Sequence, residues 1–189
     1  MADKKLLELG LLNSEEAFKA QYYSYIMNGL MTQLARIKPN KQIEESHMQN
    51  RALIAWWAYE LGKGKNVIEL VKLPDSATSE FKTFVRINDY TALRQIFAQQ
   101  LAEIQRIKSM GDFDKARELV EGYAVKVDKA LHSEILERYE RLNIAPYKGF
   151  INPVMSLEFD ADNQIVDVKL DYTETYTDQM MRYSKDYSL

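Results

Sequence analysis

The sequence predicts a mainly α chain with small β-hairpins, an α+β arrangement in which a helical part is followed by a β-containing C-terminal segment. Three observations carry this. Apolar residues recur at helical spacing through most of residues 1–145, as at Leu93, Ile96, Phe97, Leu101, Ile104 and Ile107. Two β-like runs near 66–87 flank the turn-rich Pro74-Asp75-Ser76-Ala77-Thr78-Ser79-Glu80. After Pro146 the texture changes: Val154-Met155-Ser156-Leu157-Glu158-Phe159 and Ile165-Val166-Asp167-Val168-Lys169-Leu170 alternate with period two around Asp160-Ala161-Asp162-Asn163. The boundary is placed near residues 146–148, giving a helical part at 1–146 and a hairpin with a short helix at 147–189.

Taken in order, Asn13-Ser14-Glu15-Glu16 is a helix-start signal with Asn13 as the cap, and the apolar pattern runs from there to about Ile37, where Lys38-Pro39-Asn40 stops it. A second helix is expected over about 42–61, closed by Gly62, and its latter half, Ala52-Leu53-Ile54-Ala55-Trp56-Trp57-Ala58-Tyr59, is apolar nearly all round. Such a helix must be covered on every side. With too few partners in the chain to cover two of them, the sequence is expected to belong to something larger, and the exposed apolar faces of these helices to self-associate. Strands follow at about 66–73 and 81–87. Asn88-Asp89 then caps a long helix at about 90–110, ended by Gly111. Shorter helices are expected over 113–123 and 130–142, and a last one over 175–183.

Composition narrows the function classes. A net charge of -3 gives no electrostatic reason to expect nucleic acid or an acidic membrane as partner. No cysteine occurs, which excludes disulfides, thiolate zinc sites and cysteine nucleophiles. Neither a signal-peptide apolar core nor an apolar run of membrane-spanning length, about 18 residues, is visible, so a cytoplasmic location is the default expectation.

The stretch Ile43-Glu44-Glu45-Ser46-His47-Met48-Gln49-Asn50-Arg51 is the most informative. Residues four apart on a helix share a face with Cβ atoms about 5–6 Å apart, so His47 and Arg51 can meet one ligand together, an oxyanion or a peptide carboxylate. By spacing alone the stretch also reads as a solvated helix start. The pairs Glu15-Glu16 and Glu44-Glu45 are read as first-turn acids that favour the helix dipole rather than as metal ligands. His132, at the start of a predicted helix, is read as a surface or capping residue. With only two histidines and no His-Glu-x-x-His pair, a zinc site built from this chain alone is not expected. Trp56-Trp57 and the twelve tyrosines read as core packing. Lys148 stands in a two-proline crossover, Pro146-Tyr147-Lys148-Gly149-Phe150-Ile151-Asn152-Pro153, where a lysine either lines a cleft or is simply solvated.

His47-Met48-Gln49-x-Arg51, the flanking Met31-Thr32-Gln33-Leu34 and Asn143-Ile144-Ala145-Pro146-Tyr147-Lys148-Gly149-Phe150 occur in one order in one chain, which closes on Tyr183-Ser184-Lys185-Asp186-Tyr187-Ser188. Together they resemble the C-terminal portion of dipeptidyl peptidase III, a two-lobed zinc exopeptidase, in its bacterial form, along the whole chain. The resemblance implies an enzyme that removes dipeptides from the N-termini of short peptides. It implies zinc held by a His-Glu-x-x-x-His helix and a glutamate of a second Glu-Glu motif. Neither motif stands here, and Glu15-Glu16-Ala17 is not its equivalent, so the resemblance implies zinc in a full-length parent and none bound by this chain alone. His47 would be the catalytic residue that stabilises charge on the scissile carbonyl, with Arg51 and Lys148 as substrate-binding residues. Residues 1–146 would belong to the helical, zinc-bearing upper lobe and 147–189 to the second lobe. The alternative reading is a non-catalytic helical binding or interaction module, possibly from a protein with a Nudix-type domain, although no Nudix glutamate-rich box is present.

Overall fold

A computed structural model describes residues 2–11, 14–75, 78, 80–144 and 151–188, and the chain divides into two compact units, Met1–Pro146 and Tyr147–Leu189. The fold is mainly α with two small antiparallel hairpins.

In the first unit α1 (Ala2–Glu8) leads to α2 (Glu15–Leu30). The cap of α2 is Ser14, whose hydroxyl accepts from the Ala17 amide at 3.1 Å; Asn13 lies outside the described residues. The single helix expected to reach Ile37 instead breaks at Met31, and a 3-10 segment, Thr32–Arg36, carries the chain on. Gln33, Leu34 and Ala35 point in three directions around its axis and all are buried, so this segment is covered on every side.

Helix α3 (Ser46–Gly62) is central, packing against α2, α4 (Tyr90–Met110) and a π turn, Val120–Ala124, that follows α5 (Phe113–Leu119). Its fully covered positions are small: Ala52, Ala55, Ala58 and Gly62 recur on one stripe and let neighbouring backbones approach closely. Gly29 of α2 crosses this stripe, where an added Cβ would lie 2.4 Å from the Arg51 carbonyl oxygen. The bulkier Leu53, Ile54, Trp56, Trp57 and Tyr59 form half-buried shoulders, with Trp57 stacked on Tyr123 and Trp56 edge-on to Tyr59. This corrects the expectation that α2 and α3 lack partners to cover them. Of the large apolar residues in these two helices, Tyr25 alone is exposed among the described residues.

Helix α4 runs over its predicted span, with the Asp89 carboxylate bonded to the Ala92 amide at one end and Gly111 at φ +63° at the other. Strands β1 (Ile68–Pro74) and β2 (Phe81–Ile87) pair in the register Ile68↔Ile87 through Pro74↔Phe81. The hairpin is bonded to α6 (Lys129–Arg141) through Glu134. That carboxylate accepts from the Thr83 amide, the Thr83 hydroxyl, Lys72 and Arg138, while Arg138 also donates to the Thr83 carbonyl. His132, read from sequence as a surface or capping residue, is buried at 5% exposure, with Nε2 2.9 Å from the Ile37 carbonyl oxygen. One turn into an amphipathic helix, its position faces inward with Leu131 and Ile135, and the carbonyl closing the 3-10 segment gives the ring a partner.

In the second unit β3 (Val154–Phe159) and β4 (Ile165–Asp171) form a hairpin with a bulge between Glu158 and Phe159. Met155 pairs with Leu170 and Leu157 with Val168 on one face, and all four are exposed; the opposite face carries the Lys169–Glu158 ion pair. Helix α7 (Tyr176–Tyr187) runs four residues past its predicted end. Its Gln179 is fully buried and grips Asn152 from both sides, Oε1 accepting from the Asn152 amide and Nε2 donating to its carbonyl. Among the described residues no helix is long and apolar enough to cross a membrane.

Candidate functional site

The site is built on the first turns of α3. The helix was expected from about residue 42 with Glu44 and Glu45 inside it, but it starts at Ser46 and both acids precede it. Ile43 is buried, its amide bonded to the Val125 carbonyl and its carbonyl to Gln49 Nε2, so the chain arrives extended and turns only afterwards. Glu45 is the N-cap: its two carboxylate oxygens accept from the His47 amide at 2.9 Å and the Met48 amide at 2.8 Å. Those amides hold the Glu45 carboxyl below the usual carboxylate range, with the charges of His47 and Arg51 adding to the effect.

His47 and Arg51 stand one turn apart, and both are exposed. Arg51 is anchored, since its Nη1 donates to Asn28 Oδ1 of α2 at 3.2 Å. The same oxygen accepts from Nε2 of Gln33, a side chain only 1% exposed, so the anchor is itself fixed from the core. Tyr25, one turn before Asn28, has its phenol pushed up by burial and drawn the other way by the Arg51 charge. Among the described residues nothing hydrogen-bonds the His47 ring, which leaves it open to a ligand.

No protein-family model matches this chain, and no curated protein matches it. The chemistry therefore rests on the geometry.

The arrangement offers a guanidinium with donors to spare, an imidazole on the same helical face, and a helix N-terminus already occupied by Glu45. It is suited to a peptide carbonyl or carboxylate held by Arg51, with His47 as a second donor. Lys148 lies outside the described residues. Sequence reasoning missed Asn28 and Gln33, which steady Arg51, Tyr25, whose phenol feels the Arg51 charge, and Glu45, which occupies the helix end. A usable signal existed: Tyr25 and Asn28 sit at helical spacing beside Gly29, the residue that permits a close crossing. Glu15 and Glu16 lie in the first turn of α2, where hydrogen bonds from its own amide and from Ser14 hold the Glu16 carboxyl below the usual carboxylate range. Among the described residues no three His, Asp or Glu side chains come together as a ligand set for a metal ion.

Proposed function

We propose that this chain is the C-terminal portion of a zinc-dependent dipeptidyl peptidase of the dipeptidyl peptidase III type, acting on short peptides in the cytoplasm. What carries the reading is the pairing of exposed His47 with Arg51, the latter braced through Asn28, in the place where the resemblance puts substrate contacts. The described residues offer no ligand set for the zinc. This chain's own contribution is binding and charge stabilisation.

Arg51 holds a carbonyl or carboxylate of the peptide with the donors that Asn28 does not use. His47 donates to the scissile carbonyl oxygen as it gains charge, an interaction that is stronger in the transition state than in the ground state. Titrating the 189-residue chain with a short unblocked peptide tests the binding half of the reading by NMR. The His47 ring and Arg51 side-chain resonances shift together, and Arg51→Ala removes the His47 shift. Unmoved resonances in the unaltered chain would sink it.

The second reading, an interaction module, is favoured by one observation: the apolar face of the β3–β4 hairpin, with Met155, Leu157, Val168 and Leu170, is exposed. Light scattering with a hydrophobic dye tests it, and a dye-free monomer would count against it.

A further inference from the structure

The β3–β4 hairpin of the second unit is a sheet of two strands, every residue of β4 is exposed, and among the described residues no strand pairs with its far edge. A lone hairpin is marginally stable in water, and further strands or a packed face are what stabilise it. The apolar face is present in Met155, Leu157, Val168 and Leu170, and the edge presents backbone groups that another strand can take. The Val168 amide is covered only locally, by Asp167 Oδ1 of the preceding residue at 2.8 Å.

The charges of β4 decide which strand fits. Asp167, Lys169 and Asp171 alternate in sign along it. Across the hairpin Asp167 lies opposite Glu158, a like charge, and Glu158 already takes Lys169 as its ion partner. Asp167 has no cation of its own among the described residues. When a second β4 is laid antiparallel with Val168 opposite Val168, Asp167 of each strand faces Lys169 of the other, and Leu170 faces Val166. Registers centred on Asp167 or on Lys169 set carboxylate against carboxylate or ammonium against ammonium, which is destabilising. The strand is thus complementary to itself about Val168, and a two-fold axis there forms both ion pairs at once.

We propose that a second copy of this chain pairs with β4 in this register, joining two hairpins into a four-stranded antiparallel sheet. The Val168 amide and carbonyl then bond to those of its counterpart, and the apolar rows of both copies run together on one face. A second copy is thereby named as the partner in the interaction-module reading, on which the proposal rests; neither His47 nor Arg51 takes part.

Sedimentation of the 189-residue chain, with its Asp167→Lys and Lys169→Asp variants, is the test. A single strand pair is a small interface, so a reversible dimer is expected with a Kd on the order of 10 µM. Either substitution sets like charges opposite each other at two symmetry-related places and should weaken the dimer about tenfold or more. Mixing the two variants in equal amounts sets lysines against aspartates again and should restore the dimer as a heterodimer. A single variant that dimerises as tightly as its parent, or a mixture no tighter than its components, would overturn the register. An unaltered chain that stays monomeric at 100 µM would overturn the second copy as partner, and a hydrophobic dye separates the two failures: a monomer that binds the dye leaves the interaction-module reading standing, and one that does not removes both.

Discussion

Replacing Gly29 by alanine sets two effects of known size against each other. Helix propensity favours alanine by about 0.8–1.0 kcal/mol in a helix interior. Against this, the new Cβ would lie 2.4 Å from the Arg51 carbonyl oxygen and 2.5 Å from Ala55 Cβ. Neither obstacle is the tip of a flexible side chain; one is backbone and the other a fully buried methyl. Relief requires α2 and α3 to move apart, at the upper end of the usual overpacking penalty, about 3 kcal/mol. The overlap wins, leaving Gly29→Ala about 2 kcal/mol less stable. At about 2–4 °C per kcal/mol for a chain of this size, its melting midpoint should fall by about 4–8 °C in a circular-dichroism melt. Movement at Arg51 would also loosen its bond to Asn28, so peptide binding should weaken even well below the melting range. A variant more stable than its parent by about 1 kcal/mol, as propensity alone requires, would refute this account of the crossing.

Other expectations follow from the same contacts. Burial raises the pKa of the Glu134 carboxyl, but bonds from Lys72 and from the Thr83 amide and hydroxyl outweigh it and hold the group below its ordinary 4.5. Its stabilisation is therefore complete above that value and lost as pH falls through the lowered one. Glu134→Gln should be about 1–3 kcal/mol less stable at neutral pH and should lose part of the acid dependence; urea melts at pH 7 and pH 3 read both, and an unchanged slope would count against it. His132→Ala removes the contact with Ile37 and leaves a void, for a loss of about 2–4 kcal/mol in the same melts. In the second unit Gln179→Leu should free the Asn152 amide, seen as faster hydrogen exchange there. On the proposed peptidase reading, His47→Ala in a full-length protein containing this sequence should lower kcat by about 10²–10³ with a smaller change in KM, and an unchanged kcat would exclude the proposed role.

Legibility in the sequence followed the strength of local signals. Helix α4 was readable end to end because a periodic apolar face, an aspartate cap and a left-handed glycine all agreed. Both hairpins were readable from alternation and turn residues. The start of α3 was misread because a glutamate serves as its cap, where serine, threonine, aspartate or asparagine is the usual signal. The break at Met31 has no local marker; packing of Gln33, Leu34 and Ala35 decides it. His132 shows the same limit, since its partner is a carbonyl 95 positions away in sequence. At the site, the spacing of His47 and Arg51 was visible, while Asn28 and Tyr25 come from another helix and become neighbours only through the crossing at Gly29.

The Glu45 cap makes the α3 N-terminus a seat with a resident tenant. Any free carboxylate approaching the His47 and Met48 amides competes with one tethered beside them, at an effective concentration on the order of millimolar or higher. Such a ligand is steered away from the helix end and onto the side chains of Arg51 and His47. Acid strong enough to protonate Glu45, below its already depressed pKa, would remove the competitor and reopen the helix end to outside anions.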